Sequence, residues 1–502
     1  MELTALLAVV LGAFLTATRV TALSSTDAKT MYDAFNNAFL YTSDNGTAFY
    51  KRNLTSNAED GSWTLDQDIY TVQDAYETTG DGDKLSLMTN LLNTWLYYNP
   101  PPWDGDGWND DVGWYTLALM RGYMYTGNTD WYNQAKSGYD MAFARGWNET
   151  YNNGGIWECQ PAPGDPPSTK CVLSNFSLGR VACMIYQATH NINYLNQCEQ
   201  IYNWVWGTLF VPHTGQVIGC VIQTGVLQYG DDAYNQGMMA DMANMLWLIT
   251  GNENYLRDAN MAISYAFSNV TKNGIFTSWN PNGTGWVDDF SRGAGRTIQN
   301  NRLWDTYHSD MVNNANSILA NRRADLGITW NAWDTPTPED MDLWPTQAND
   351  ASTWLLWTPV DIPDVIGGIH TITNVATGQA IDSANNWGND SSVIQSSSNS
   401  QQQQRWLFTQ NSDASWNIVN LATWKSLDCG NGNNATNSTI IQSQFGRASN
   451  QRWWVEQEGN GTYKISNQQS QLALDSSGSK VDGYPLIQWP WNNGTRQLWT
   501  LG

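Results

Sequence analysis

Three segments near the end of the chain close on Gln-x-Trp: Gln404-Arg405-Trp406, Gln451-Arg452-Trp453 and Gln497-Leu498-Trp499. Each follows a pair ending in Asp and then an Ile-Gln pair: Ile381-Asp382 with Ile394-Gln395, Leu427-Asp428 with Ile441-Gln442, and Leu474-Asp475 with Ile487-Gln488. The interval is 46 or 47 residues throughout, so this is a structural repeat and not composition. Short alternating runs between Gly, Asn and Ser turns make each unit a small β subdomain that cannot bury its apolar face alone. Three copies must close on one another, with Trp406, Trp453 and Trp499 as the expected shared framework.

The chain upstream, from about Ser24 to Trp357, carries a different recurrence. Ala75 to Asp81, Gly122 to Asn128 and Leu246 to Asn252 each run from apolar helix residues into Thr-Gly and then Asp or Asn. Gly there can end a helix in the left-handed conformation, and the acid or amide can cap the next one. Met184 to Asn191 is a degenerate copy with His190 in the Gly place. Such αα-hairpin corners, with few strand-like stretches, predict an all-α (α/α)6 toroid with its active site in the loops at one end. An open helical solenoid is the alternative, disfavoured by the irregular corner spacing and the long aromatic loops. A chain of 502 residues accommodates both units.

Residues Leu3 to Leu15 form an apolar run too short to span a bilayer, followed by small residues at Val20-Thr21-Ala22. They predict a signal peptide over 1–22 and a secreted protein, with neither a membrane span nor a lipid-anchor signal. Sequons at Asn45, Asn53, Asn148, Asn175, Asn269, Asn282, Asn389, Asn434, Asn437, Asn460 and Asn493 fit secretory passage. Of six cysteines, Cys159 and Cys171 are the expected disulfide, closing the Pro/Gly loop between them; the others are left open. A net charge of −23 excludes a nucleic-acid partner. The 28 Trp and 23 Tyr supply flat faces of the kind that stack on sugar rings. The four histidines, His190, His213, His308 and His370, show no metal-ligand spacing, so no metal or cofactor is expected.

Glycoside cleavage uses two carboxyl groups, one ionised and one carrying a proton. Asp110-Asp111 stands out among three Asp-Asp pairs because Trp103, Trp108 and Trp114 flank it and it opens a helix from about Val112 to Tyr125. Asn109, Asp110 and Asp111 also suit a purely structural part as a helix start, and the two parts are compatible. Asp231-Asp232 and Asp288-Asp289 read as loop or helix-start residues.

The run Gly107-Trp108-Asn109-Asp110-Asp111-Val112-Gly113-Trp114, with Gly154-Gly155-Ile156-Trp157, Ser174-Asn175 and Tyr234-Asn235-Gln236-Gly237 in the same order, resembles glycoside hydrolase family 76. That resemblance implies a retaining endo-α-1,6-mannanase, or a cell-wall transglycosidase, with Asp110 as nucleophile and Asp111 as general acid/base. It implies substrate contacts from Trp108, Asn109, Trp114, Trp157, Asn175, Tyr234, Asn235 and Gln236. Asn175, as a wall of the site, should not be glycosylated. The repeats resemble the ricin-type β-trefoil, carbohydrate-binding module family 13. That implies sugar contacts from Asp475, Gln488, Trp489, Trp491 and Asn492 in the third repeat, and from Asp428, Phe445 and Asn450 in the second. The first repeat offers Asp382 and only Trp387 as an aromatic. The expected organisation is a signal peptide (1–22), a catalytic domain (23–358), a linker (359–365) and a trefoil (366–502), in a monomer acting on a polysaccharide. A lectin with a silent helical domain is the alternative from another class.

Overall fold

The computed structural model describes residues 23–160, 169–230, 232–278, 286–363, 366–430 and 432–502, without the side chains of Ser62, Trp63 and Leu65. The expected signal peptide, Asp231, the sequon at Asn282 and most of the loop between Cys159 and Cys171 lie outside the described residues.

Twelve α-helices lie among the described residues: α1 (Asp27–Phe39), α2 (Ser62–Thr79), α3 (Gly82–Tyr98), α4 (Asn109–Thr126), α5 (Thr129–Gly146), α6 (Val172–Thr189), α7 (Ile192–Thr208), α8 (Ala233–Thr250), α9 (Glu253–Tyr265), α10 (Val287–Asn301), α11 (Trp304–Ala320) and α12 (Asn349–Trp357). The even-numbered helices pack in sequence, α2 on α4, α4 on α6, α6 on α8, α8 on α10 and α10 on α12, and the circuit returns from α12 to α2. This closure rules out the open solenoid. None of the described helices is long and apolar enough to cross a membrane.

The corners fold as their residues require. Gly80, Gly127 and Gly251 sit at φ 71° and donate their N–H groups back to Tyr76, Tyr123 and Trp247. His190 adopts φ 56° at the fourth corner, a conformation glycine would reach with less strain. Asn128, Asn191 and Asn252 then cap the next helices by accepting backbone N–H bonds.

Past α12, the strands Gly368–Asn374, Arg405–Gln410, Trp416–Asn420, Arg452–Gly459, Thr462–Asn467 and Leu498–Leu501 pair antiparallel in a closed circuit. Trp406, Trp453 and Trp499 are fully buried inside it. Their indole N–H groups donate to the carbonyls of Ile381, Leu427 and Leu474, 3.0–3.1 Å away, so each tryptophan is held by the Asp-bearing strand of its own repeat.

The β region sits directly on the corner end of the helical ring. Gln402 donates to the Leu248 carbonyl (2.9 Å), Ser412 N–H to that of Thr79 (2.9 Å) and Arg447 to that of Tyr76 (3.2 Å). Trp387 stacks on His190 with centroids 4.1 Å apart, and Leu407 and Leu421 join the helical core.

The disulfides correct one expectation. Cys171 pairs with Cys220 and Cys183 with Cys198, while Cys159 and Cys429 are free. Strand register decides the first pair, because Thr169–Cys171 runs antiparallel to Cys220–Ile222 with Cys171 opposite Cys220. The second joins the neighbouring helices α6 and α7. Proximity in sequence was the wrong guide.

Candidate active site

α4 begins at Asn109, three residues before the expected start, which places Asp110 and Asp111 in its first turn. The first turns of the inner helices converge at the end of the ring away from the β region. There they enclose a cavity of about 420 Å³ lined by Gln67, Trp108, Asp110, Asp111, Trp114, Glu158, Leu173, Tyr234, Trp286 and Asp289. Asp110, Leu173 and Tyr234 each occupy the second position of their helix. Two consecutive side chains of one helix can share a cavity here because it closes over the helix end.

The convergent N-termini favour negative charge, typically by about 0.3–1 kcal/mol each. Burial outweighs them. Burial, then the charges of Asp111 and Glu158, pushes the Asp110 carboxyl up to about 8. Burial, then Asp106, pushes Asp111 up to about 7. Asp66, fully buried in α2 and facing the charge of Asp111, is also held well above the carboxylate range. Asp110 Oδ1 is buried without a hydrogen-bond partner among the described residues. Both carboxyls are thus raised from the ordinary carboxylate range to near neutrality, where a proton-carrying and an ionised group can stand side by side.

Several of the expected substrate contacts lie buried in the wall of the cleft. Asn109 is buried, donating to the Trp157 carbonyl (2.7 Å) and accepting from Arg145 Nε (2.7 Å). Asn175 is buried behind the wall, where it accepts from Ile156 N–H (2.9 Å) and donates to the Cys171 carbonyl (2.7 Å), a position no glycan could reach. Trp157 is buried under the Lys170 ammonium, 4.5 Å from its ring, and Asn235 and Gln236 are buried in α8. Trp108 is 48% exposed at the rim, and Trp114 and Tyr234 line the cavity. Tyr234 meets Trp286 edge to face at 4.9 Å. Sequence reasoning missed Gln67, Glu158, Leu173 and Trp286, and set Asp289 aside as a helix-start residue. Trp286, at φ 52°, is held in a strained backbone conformation of the kind found at functional sites.

A buried ion network underlies the cleft. Arg292 bonds Asp74 (2.9 and 3.1 Å), Asp288 (3.0 Å) and Asp289 (2.7 Å). Arg180 links Asp289 to Asp241, Arg121 reaches Asp74 and Glu77, and Arg296 joins Glu77 to Asp241. Five inner helices are thus tied together through the middle of the ring.

In the β region, Gln488 is buried with its amide donating to carbonyls of the second repeat, Cys429 and Ala435 among them. It ties the third repeat to the second. Phe445 packs at the junction, 6.1 Å from Tyr125 and 5.4 Å from the Arg447 guanidinium. Asp428 is buried and accepts from Asn450 (2.7 Å) and Gln451 (3.1 Å). In the third repeat, Gln497 turns to the Pro490 carbonyl (3.0 Å), and Asp475 accepts from Ser477 N–H (2.6 Å). Trp489 is 39% exposed, Trp491 is half-buried beside Lys464, and Asn492 is exposed.

A helical ring whose cleft sets two half-buried carboxyls, both raised towards neutrality, among Trp and Tyr has the groups that glycoside cleavage requires. Residues 40–291 match the model of glycosyl hydrolase family 76, and the chain belongs to that family. Residues 338–444 and 449–502 match the ricin-type β-trefoil lectin domain-like model. A family 76 α-1,6-mannanase from Salegentibacter sp. HEL1_6 is similar at 21% identity and TM-score 0.58, covering 66% of this chain and 97% of that one. An inactive variant of it, with two consecutive aspartates changed to alanine and α-1,6-mannotetrose bound, is 20% identical with TM-score 0.57 over the same shares. A family 76 mannosidase from Bacteroides thetaiotaomicron is 16% identical with TM-score 0.55, covering 66% of this chain and 96% of that one. These likenesses extend to the fold. No curated protein matches the chain.

Proposed function

We propose that this chain is a secreted, retaining endo-α-1,6-mannanase whose β-trefoil holds the enzyme on glycan. The observation that carries this reading is the pair of half-buried carboxyls, Asp110 and Asp111, at the end of an aromatic cleft. The closed circuit of inner helices supports an (α/α)6 toroid, with a catalytic domain over 23–358, a linker over 359–365 and the trefoil over 366–502. The Salegentibacter relative supports the linkage, since it is an α-1,6-mannanase and its variant lacking two consecutive aspartates is inactive.

In the reaction one carboxylate attacks the anomeric carbon while the other carboxylic acid protonates the departing oxygen, and water then releases the glycosyl ester. The family resemblance assigns attack to Asp110 and proton transfer to Asp111. Burial raises both carboxyls, which keeps a proton available for transfer from Asp111 once Asp110 is ionised. A slow glycosyl fluoride that accumulates the ester, followed by fragmentation of the labelled peptide, identifies the nucleophile.

The defining test is product analysis on linear α-1,6-mannan and its tetrasaccharide. Hydrolysis yields shorter chains with the α-anomer formed first. Longer chains would make the protein a transglycosidase, and no change in either substrate would leave only a lectin. Asp110→Asn and Asp111→Asn should each cost several orders of magnitude in turnover with the fold retained.

A further inference from the structure

The exposed aromatics of the helical region are distributed unevenly. Outside the cleft lining they are Tyr41 between α1 and α2, Tyr97 and Tyr98 at the end of α3, Tyr151 between α5 and α6, Trp206 in the last turn of α7, Tyr229 before α8, and Trp344 before α12. Every one of these positions lies in the last turn of an outer helix or in a connection that enters an inner helix, and so at the cleft end of the ring. At the corner end, Tyr76, Tyr125, Trp247 and Trp304 are buried, the first three against the trefoil or beside residues it contacts. Among the described residues, no exposed Trp or Tyr of the helical region lies there.

Exposing these rings has no folding benefit. Tyr97 is 79% exposed and Tyr229 69%, so neither contributes appreciable buried area. Tyr97 and Tyr98 pack only edge to face on each other, with centroids 5.0 Å apart. An exposed apolar surface concentrated at one end marks an interaction site, and this is the end at which the cavity lies, with the 48% exposed Trp108 in its lining. Flat faces with polar tips suit pyranose rings, which present C–H surfaces and hydroxyl edges together.

We propose that these rim aromatics form a stacking track for the same glycan chain beyond the residues held in the cleft, so that the enzyme engages a long stretch of polymer. This rests on the mannanase reading, and it makes Tyr97, Tyr98 and Tyr229 determinants of chain-length preference. None of them touches the reacting carboxyls. Their contribution therefore grows with substrate length and fades for a chain that only fills the cleft.

The test compares kcat/KM on linear α-1,6-mannan with kcat/KM on the tetrasaccharide for the full-length protein and for Tyr97→Ala/Tyr98→Ala/Tyr229→Ala. Each lost stacking face is worth about 3- to 10-fold in affinity, so the polymer-to-tetrasaccharide ratio should fall at least 10-fold. Trp at the three positions keeps a flat face and should restore it. An unchanged ratio, or an equal loss on both substrates, overturns the track. Wild-type activity on the tetrasaccharide tests the mannanase reading separately: if it is absent, that reading fails first, and the same variants are then compared for retardation in a mannan-containing gel.

Discussion

Replacing Asp110 by Asn isolates the energetic cost of keeping a carboxyl in this cleft. An aspartate in the unfolded chain ionises near 3.9, whereas Asp110 in the fold is pushed up to about 8 by burial and then by Asp111 and Glu158. Between those values the native state holds a proton that the unfolded state has released, so stability falls as pH rises. At about 1.36 kcal/mol per unit, the loss from pH 4 to pH 7 approaches about 4 kcal/mol, and about 2–4 kcal/mol once water in the cleft is allowed for. Asn cannot titrate and escapes this loss. Its amide adds an unsatisfied donor costing about 1–3 kcal/mol, but that cost is the same at both pH values and cancels. Denaturant unfolding at pH 4 and pH 7 should therefore show wild type losing about 2–4 kcal/mol more than Asp110→Asn, while the variant is inactive at both. Parallel losses in the two proteins would refute the assignment of a raised pKa to Asp110.

Three further outcomes follow from other parts of the molecule. Arg292→Leu leaves Asp74, Asp288 and Asp289 buried without their shared guanidinium, so unfolding of the helical region should be about 3–5 kcal/mol easier; a near-neutral result would mean the network is redundant. Thiol titration should find two free cysteines in the unfolded protein and only slow reaction of Cys429 when folded, since it is buried with its thiol pushed up to about 11; no free thiol would overturn the disulfide assignment. For the trefoil, Asp475→Ala and Trp489→Ala should weaken retention on insoluble mannan by about 1–3 kcal/mol each. Asp382→Ala should have less effect, and the opposite order would refute the ranking of repeats.

The sequence made the architecture legible because its punctuation is periodic. The helices before the corners at Gly80, Gly127, His190 and Gly251 are each 18 residues long, so counting back from a corner finds the first turn of an inner helix. Applied to α6 and α8, that count reaches Leu173 and Tyr234 as the partners of Asp110. Tyr234 was expected from its motif, whereas Leu173 was not singled out. Glu158, Trp286 and Asp289 come from a loop, a helix entry and a paired acid, and only the closure of the ring brings them together. Asn109, Asn175 and Gln236 illustrate the opposite difficulty: motif membership marks proximity to the site, yet buried amides there hold backbone in place. Disulfide pairing was not legible, because strand register and helix adjacency are properties of the fold. The part played by Phe445 and Trp387 was hidden for a similar reason, since nothing within a repeat signals that its aromatic faces another domain.

That last point bears on how the two units cooperate. An 18-residue helix is about 27 Å long, so the corner end that carries the trefoil lies about that far from the carboxyl pair. The trefoil cannot shape the cleft by contact at such a distance. The first repeat gives Trp387 to His190, and the second gives Phe445 to Tyr125 and Arg447 to Tyr76. The third repeat has no comparable aromatic at the junction and leaves Trp489 facing outward. Threefold sequence symmetry has thus been divided in use, with two repeats holding the floor of the ring and the third leaving the exposed Trp489 free for the proposed glycan contact. Because the docking is direct, a glycan bound at the third repeat sits at a fixed distance from the cleft, where it raises the local concentration of polymer without altering the chemistry. Sugar binding by the trefoil should then matter for insoluble substrate and be dispensable for soluble chains.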